Sequence, residues 1–312
     1  MVFTTPAPFV LLLMLSSAYG CTVPWPATIN VTWDYQIGGY KNRDVDVYML
    51  DGFLTQSTLI STLHDQGKRV SCYFSSQYES FRPDAGSFPS SLLGHNLDSW
   101  PGERWVDIRQ KTALEPIYRS RLTRAVDLKC DGVEWDNIDG YMDDKSGFPV
   151  TVTDGVSFIQ SLITLTHGYN ISFGLKNVPN LVAQFVQAAD YSINEDCAKY
   201  NECGSYTPFI TAGKPAFSVE YTDNTQRSTN AKCQAMVNAQ MTSPIIRDRG
   251  VKADGSFLAC TNAAGVCSPP AGPGMSTGPT GGGDASSGDT LSTRGSPWLA
   301  VSFFLLIVYG MA

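Results

Sequence analysis

Histidine is scarce in this sequence: His64, His95 and His167 are the only three in 312 residues. None of them stands at a spacing suited to zinc, so a histidine-based metal centre is excluded. No Gly-x-Ser-x-Gly elbow of the esterase kind joins a strand to a helix. No Gly-x-Gly-x-x-Gly loop opens the first helix, which removes the dinucleotide-binding reading. Basic residues are outnumbered, 22 Lys and Arg against 29 Asp and Glu, for a net charge of −7. That balance argues against nucleic acid, which rewards cations against its phosphates, and favours a cationic ligand. No apolar run reaches the roughly 20 residues of a membrane-spanning helix, and no internal repeat is visible.

The two ends carry processing signals instead. Residues 9–15 are a short apolar run followed by Ala18-Tyr19-Gly20, the pattern of a signal peptide (1–20) with the mature chain starting near Cys21. Residues 298–312 form an uncharged tail with no basic segment behind it. Small residues Ser286, Ser287 and Gly288 and a polar spacer precede this tail, as in a glycosylphosphatidylinositol-anchor signal (289–312). The Gly/Pro/Ser-rich stretch 269–288 cannot bury enough surface to order itself and reads as a stalk. The expected product is a monomeric surface protein, held to the membrane by a lipid anchor only. Eight cysteines in such a chain point to disulfides, with Cys197 and Cys203, and Cys260 and Cys267, close enough to pair locally. Asn30 and Asn170 head glycosylation sequons.

Residues 21–268 amount to one domain. Apolar runs at 31–35, 45–50, 69–74, 132–136, 171–175, 191–194, 216–221 and 244–246 alternate with helical patterns at 54–66, 115–127, 155–166, 181–189 and 229–241. Eight strands alternating with helices in this length predict a single-domain, disulfide-containing (β/α)₈ TIM barrel. Gly67 stands where a helix C-cap belongs. The long, aromatic-rich interruption 77–114 is expected to be ordered over the barrel mouth, with a short extra strand at 105–109.

Reactive groups of a parallel barrel sit at the C-terminal ends of its strands. Those ends offer Trp33, Asp34 and Tyr35, then Asp51, then Tyr73. The fourth offers Glu134, Asp136, Asn137, Asp139 and Tyr141, the fifth Lys176 and Asn177, the sixth Glu195, and the seventh Glu220 and Tyr221. Carboxylates occur at five of the ends and histidine at none. This is a carboxylate site of the kind that cleaves glycosidic bonds, where one carboxyl protonates the leaving oxygen and a second attacks or stabilises the anomeric carbon. Strand alternation puts Glu134 and Asp136 on one face, directed into the barrel. A calcium site is the structural alternative, although the spacing matches no EF-hand loop. No metal and no cofactor are expected.

The segment Asp131-Gly132-Val133-Glu134-Trp135-Asp136-Asn137-Ile138-Asp139 resembles the signature of the endo-α-1,4-polygalactosaminidases, glycoside hydrolase family 114. Trp33-Asp34-Tyr35-Gln36, Val47 to Gly52, Lys68 to Ser75, Gly174 to Asn177, Ile193 to Cys197 and Val219-Glu220-Tyr221 follow the same family in order. The resemblance implies internal cleavage of α-1,4-linked galactosamine polymers of the galactosaminogalactan type. It implies Asp136 as nucleophile or stabiliser and Glu195 as general acid/base, with Glu134 and Glu220 as competitors for these roles. The remaining strand-end residues would bind the cationic polysaccharide. A non-catalytic adhesin or lectin for aminosugar polymer and a wall-remodelling transglycosylase are the alternative readings.

Overall fold

The computed structural model describes residues 29–142, 146–260 and 267–268. The expected signal peptide, stalk and anchor signal, and Cys21, lie outside the described residues.

All eight apolar runs are strands: β1 Trp33–Gln36, β2 Val47–Asp51, β3 Arg69–Ser75, β4 Gly132–Asp136, β5 Ser172–Lys176, β6 Tyr191–Glu195, β7 Ala216–Tyr221 and β8 Thr242–Arg247. They pair in parallel in that order from β1 to β8. The strands are buried on both faces, so alternation is muted and each reads as a nearly continuous apolar run. The (β/α)₈ barrel closes between β8 and β1 largely through side chains. Trp33 Nε1 donates to Ser243 O (2.9 Å), and Arg247 pairs with Asp34 and donates to Tyr35 O (2.6 Å).

Helices Ser57–Asp65, Lys111–Leu128, Val152–Gly168 and Thr229–Asn238 pack outside the strands. Gly67 does end the first of them, in the left-handed region at φ 75° with its N–H on His64 O. The expected helix at 181–189 is instead a turn, Pro179–Leu181, and one short helix, Val182–Phe185. Pro116 sits inside Lys111–Leu128 rather than at its start, so this helix begins earlier than the expected 115. None of the described helices is long and apolar enough to cross a membrane.

Residues after β3 leave the barrel as a small antiparallel sheet of Tyr78–Glu79, Glu103–Val106 and Leu93–Asn96. The expected extra strand is thus present, two residues earlier than 105. Val106 N donates to Gln77 Oε1 (2.7 Å), which ties this sheet to the end of β3.

Disulfides join Cys72 to Cys130, Cys197 to Cys203 and Cys233 to Cys260. The local pairing of Cys260 with Cys267 is therefore corrected. Those two are register partners on neighbouring antiparallel strands. Cys260 bonds instead to buried Cys233 of the helix Thr229–Asn238. Asn30 and Asn170 are both exposed.

Candidate active site

The lower barrel interior is filled by rings. Tyr191 crosses it and meets Ser71 Oγ at 2.6 Å. Room for its ring comes from Gly132 and Gly174, where an added Cβ would stand 2.6 and 2.5 Å from Tyr191 atoms. Above this layer Lys176 Nζ forms a buried hub. It lies 2.5 Å from Glu134 Oε1, 3.1 Å from Asp136 Oδ1 and 3.4 Å from Glu195 Oε2, and donates to Tyr35 Oη at 2.9 Å. Glu134 and Lys176 are fully buried, whereas the Asp136 and Glu195 side chains remain 15% and 26% exposed. The hub thus lies beneath two carboxylates that solvent, or a substrate, can reach.

Each reachable carboxylate has its own donors. Tyr73 Oη donates to Asp136 Oδ2 (3.0 Å), Tyr221 Oη donates to Glu195 Oε1, and Asn177 Nδ2 donates to Glu195 Oε2 (3.0 Å). Asn137, Asn177 and Asp196 directly follow Asp136, Lys176 and Glu195, and all three have positive φ (57°, 49° and 60°). Asn and Asp tolerate this left-handed conformation better than other side-chain-bearing residues. The chain therefore turns sharply away after each functional group, and leaves it at the strand tip.

Burial acts on Lys176 and on the two glutamates beside it in opposite directions. Desolvation favours a neutral Lys176, but Asp136, Glu134 and Glu195 outweigh it and hold the ammonium well above the ordinary lysine range. Burial pushes Glu134 up, against the pull of Lys176. Burial also pushes Glu195 up, but Lys176 and the hydrogen bonds from Tyr221 and Asn177 prevail and leave it below an ordinary glutamate. Tyr35, Tyr73 and Tyr221 are raised well above the usual tyrosine value, first by burial and then by these carboxylates, and remain neutral donors. Asp139 rises to about 7 through burial and the nearby Asp136.

A cleft of about 580 Å³ opens above this group. Of the residues expected from the sequence, Tyr35, Asp51, Tyr73, Asp136 and Asn137 line it, as do Asp139, Asn177, Glu195 and Tyr221. Glu134 and Lys176 lie under its floor. Four others do not line it. Trp33 is core, against Phe217. Asp34 is fully buried beside Arg247 and Arg43. Tyr141 donates to Asn180, and Glu220 accepts from Ala198 N (2.6 Å) on the outer face of β7. Asp34 and Glu220 are one residue out of phase with Tyr35 and Tyr221, so strand alternation already carried that signal.

The cleft also has walls that strand-end reasoning missed: Glu79, Phe81, Arg82, Trp100 and Glu103 from the excursion after β3, and Arg249 after β8. Only the aromatic content of that excursion hinted at them. Among the described residues no group of three or more His, Cys, Asp or Glu is arranged to hold a metal ion. The cation expected by a calcium reading has a counterpart in the protein itself, the Lys176 ammonium.

Two reachable carboxylates at the C-terminal mouth of a barrel, each with dedicated donors, define a glycosidase. Comparison with known proteins narrows this class. The model of glycoside-hydrolase family GH114 matches residues 16–265, and the chain belongs to that family. A crystal structure of Ega3 from Aspergillus fumigatus, in complex with galactosamine, is similar with a TM-score of 0.68 and 34% identity, covering 75% of this chain and 97% of that one. The glycoside hydrolase domain of PelA from Pseudomonas aeruginosa has a TM-score of 0.55 at 10% identity, covering 72% and 97%, which speaks for the fold alone. No curated protein matches the sequence.

Proposed function

We propose that this glycosidase cleaves α-1,4-linked galactosamine polymers of the galactosaminogalactan type internally, by a retaining mechanism with Asp136 as nucleophile and Glu195 as acid/base. The observation that carries the mechanism is the shared lysine. Asp136 Oδ1 and Glu195 Oε2 lie 3.1 and 3.4 Å from one Nζ atom. Laid end to end, those distances reach only the lower edge of the roughly 6.5–9.5 Å that inverting enzymes keep between their carboxyls. A separation at or below that edge favours direct attack by a carboxylate over attack by an interposed water.

In the first step an Asp136 oxygen bonds to the anomeric carbon as the bond to the leaving oxygen breaks. That oxygen takes the Glu195 proton. In the second step a water gives its proton to Glu195, attacks the same carbon and frees Asp136. Tyr73 and Lys176 hold Asp136 oriented for attack. Glu195 is ionised in the free site, so it must gain a proton when substrate binds. A sugar covering its 26% exposed side chain adds to the desolvation that already raises it. The depressed Glu195 also favours a second reading, with the two roles exchanged. Azide rescue separates them: with Asp136→Gly, azide yields the β-glycosyl azide if Asp136 is the nucleophile, and the α-product if Glu195 is.

The excess of acidic groups in the cleft supports a cationic sugar, and so does the galactosamine in the related Ega3 structure. The three disulfides support an oxidising, extracytoplasmic location, as expected for a secreted, lipid-anchored surface enzyme. The reading is tested by incubating the 21–268 domain with deacetylated galactosamine polymer and following released products by mass spectrometry. A ladder of hexosamine oligomers, absent with Glu195→Gln, is expected. Binding without release would instead favour an adhesin.

A further inference from the structure

On the excursion after β3, Glu79 and Glu103 are direct cross-strand partners. Both line the cleft and both are more than nine-tenths buried, at 2% and 8% exposure. Facing carboxylates on paired strands repel each other unless something cationic or a proton lies between them. Among the described residues the cation bonded to the pair is Arg82, and Arg121 also acts on Glu79. Arg82 stands 3.0 Å from Glu79 Oε1 but is also bound to Asp51, at 2.8 and 3.0 Å. Glu79 Oε2 is buried and has no hydrogen-bond partner. Glu103 makes no ion pair among the described residues. Burial first, then Glu79 and Asp136, push its carboxyl up to about 8. Arg82 is thus shared between Glu79 and Asp51, Glu103 has no ion pair among the described residues, and an unsatisfied Glu79 oxygen remains.

We infer that Glu79 and Glu103 form an ammonium-binding subsite that selects a deacetylated amino sugar next to the cleavage point. An R–NH₃⁺ group brings three donors and one positive charge. It would satisfy Glu79 Oε2, pair with Glu103 as that carboxyl releases its proton, and relieve the repulsion between them. An N-acetylated sugar brings neither the charge nor the three donors. The inference deepens the proposed function and rests on it: it assigns the preference for a free amine to two residues outside the barrel strands.

The test measures equilibrium binding of an α-1,4-galactosamine tetrasaccharide and its fully N-acetylated counterpart by calorimetry. Asp136→Asn serves as the non-cleaving background, with and without Glu103→Gln. Wild-type cleavage of the deacetylated polymer is followed in parallel. The expected result is a preference for the free amine in the background protein, reduced about tenfold or more by Glu103→Gln with acetylated binding unchanged. Glu103→Asp should restore part of it. Melting curves identify any variant that has lost its fold, and Glu79→Gln then serves in its place. An unchanged preference, or equal loss on both sugars, overturns the subsite while wild-type cleavage still supports the proposed function. Neither binding nor cleavage by the wild-type protein overturns both.

Discussion

Asn177 and Glu195 are joined twice. Asn177 Nδ2 donates to Glu195 Oε2 at 3.0 Å, and Glu195 N donates to Asn177 Oδ1 at 2.9 Å. The amide therefore reads both the backbone and the carboxylate of the same residue, and fixes Glu195 at the rim of the cleft. It also stabilises the anionic form of that carboxylate. Asn177→Ala is expected to lower kcat by roughly 10- to 100-fold while leaving the fold intact. Removing a donor to the anion raises its pKa, so the alkaline limb of the kcat/KM profile, where the general acid loses its proton, should move to higher pH. A profile that keeps its position would show that Asn177 does not tune Glu195.

Lys176 and Glu134 form a fully buried pair. Loss of the lysine leaves Glu134, Asp136 and Glu195 facing one another without a cation. Lys176→Met should cost about 3–5 kcal/mol of stability, as expected for stranding a buried charge. Combining it with Glu134→Gln should recover much of that stability. Activity should stay at least 100-fold down in the double variant, because Asp136 still lacks its partner. Denaturant unfolding and initial rates on the two variants check the separation. Recovery of both together would make the hub purely structural.

The pattern of strands was legible in the sequence because a barrel strand is buried on both faces and ends abruptly in polar groups. The run from Asp131 to Asp139 displayed the fourth strand and its carboxylates together. The cleft walls were not legible in the same way. Glu79, Arg82 and Glu103 are separated by loop and meet only because an antiparallel sheet pairs Glu79 with Glu103. Arg249 reaches the cleft from two residues beyond β8, whose end at Arg247 the apolar run 244–246 did not display. Sequence distance also misled the disulfide expectation: Cys260 is near Cys267 along the chain, but the outer helix brings Cys233 within bonding reach.

Several buried carboxyls bind protons more tightly in the folded protein than their ordinary values allow. Asp139 and Glu220 rise to about 7, and Glu103 to about 8, each first through burial. Between about pH 4 and pH 8 the folded chain thus holds protons that the unfolded chain has released, and stability falls as pH rises through that window. The melting temperature of the ligand-free domain should drop by on the order of a few degrees from pH 5 to pH 8. Glu220→Gln, on the outer face of β7 and outside the cleft lining, should flatten the slope near pH 7 without changing the pH profile of catalysis. A melting temperature that rises across this range would contradict the assignment of protonated buried carboxyls.

The most direct measurement is proton NMR of the reaction as it begins, with wild-type protein and α-1,4-linked galactosamine oligomers. Retention through Asp136 and Glu195 predicts new reducing ends that appear first as the α-anomer and then mutarotate. First appearance of the β-anomer, or no new reducing ends at all, would contradict a close carboxylate pair acting on this polymer.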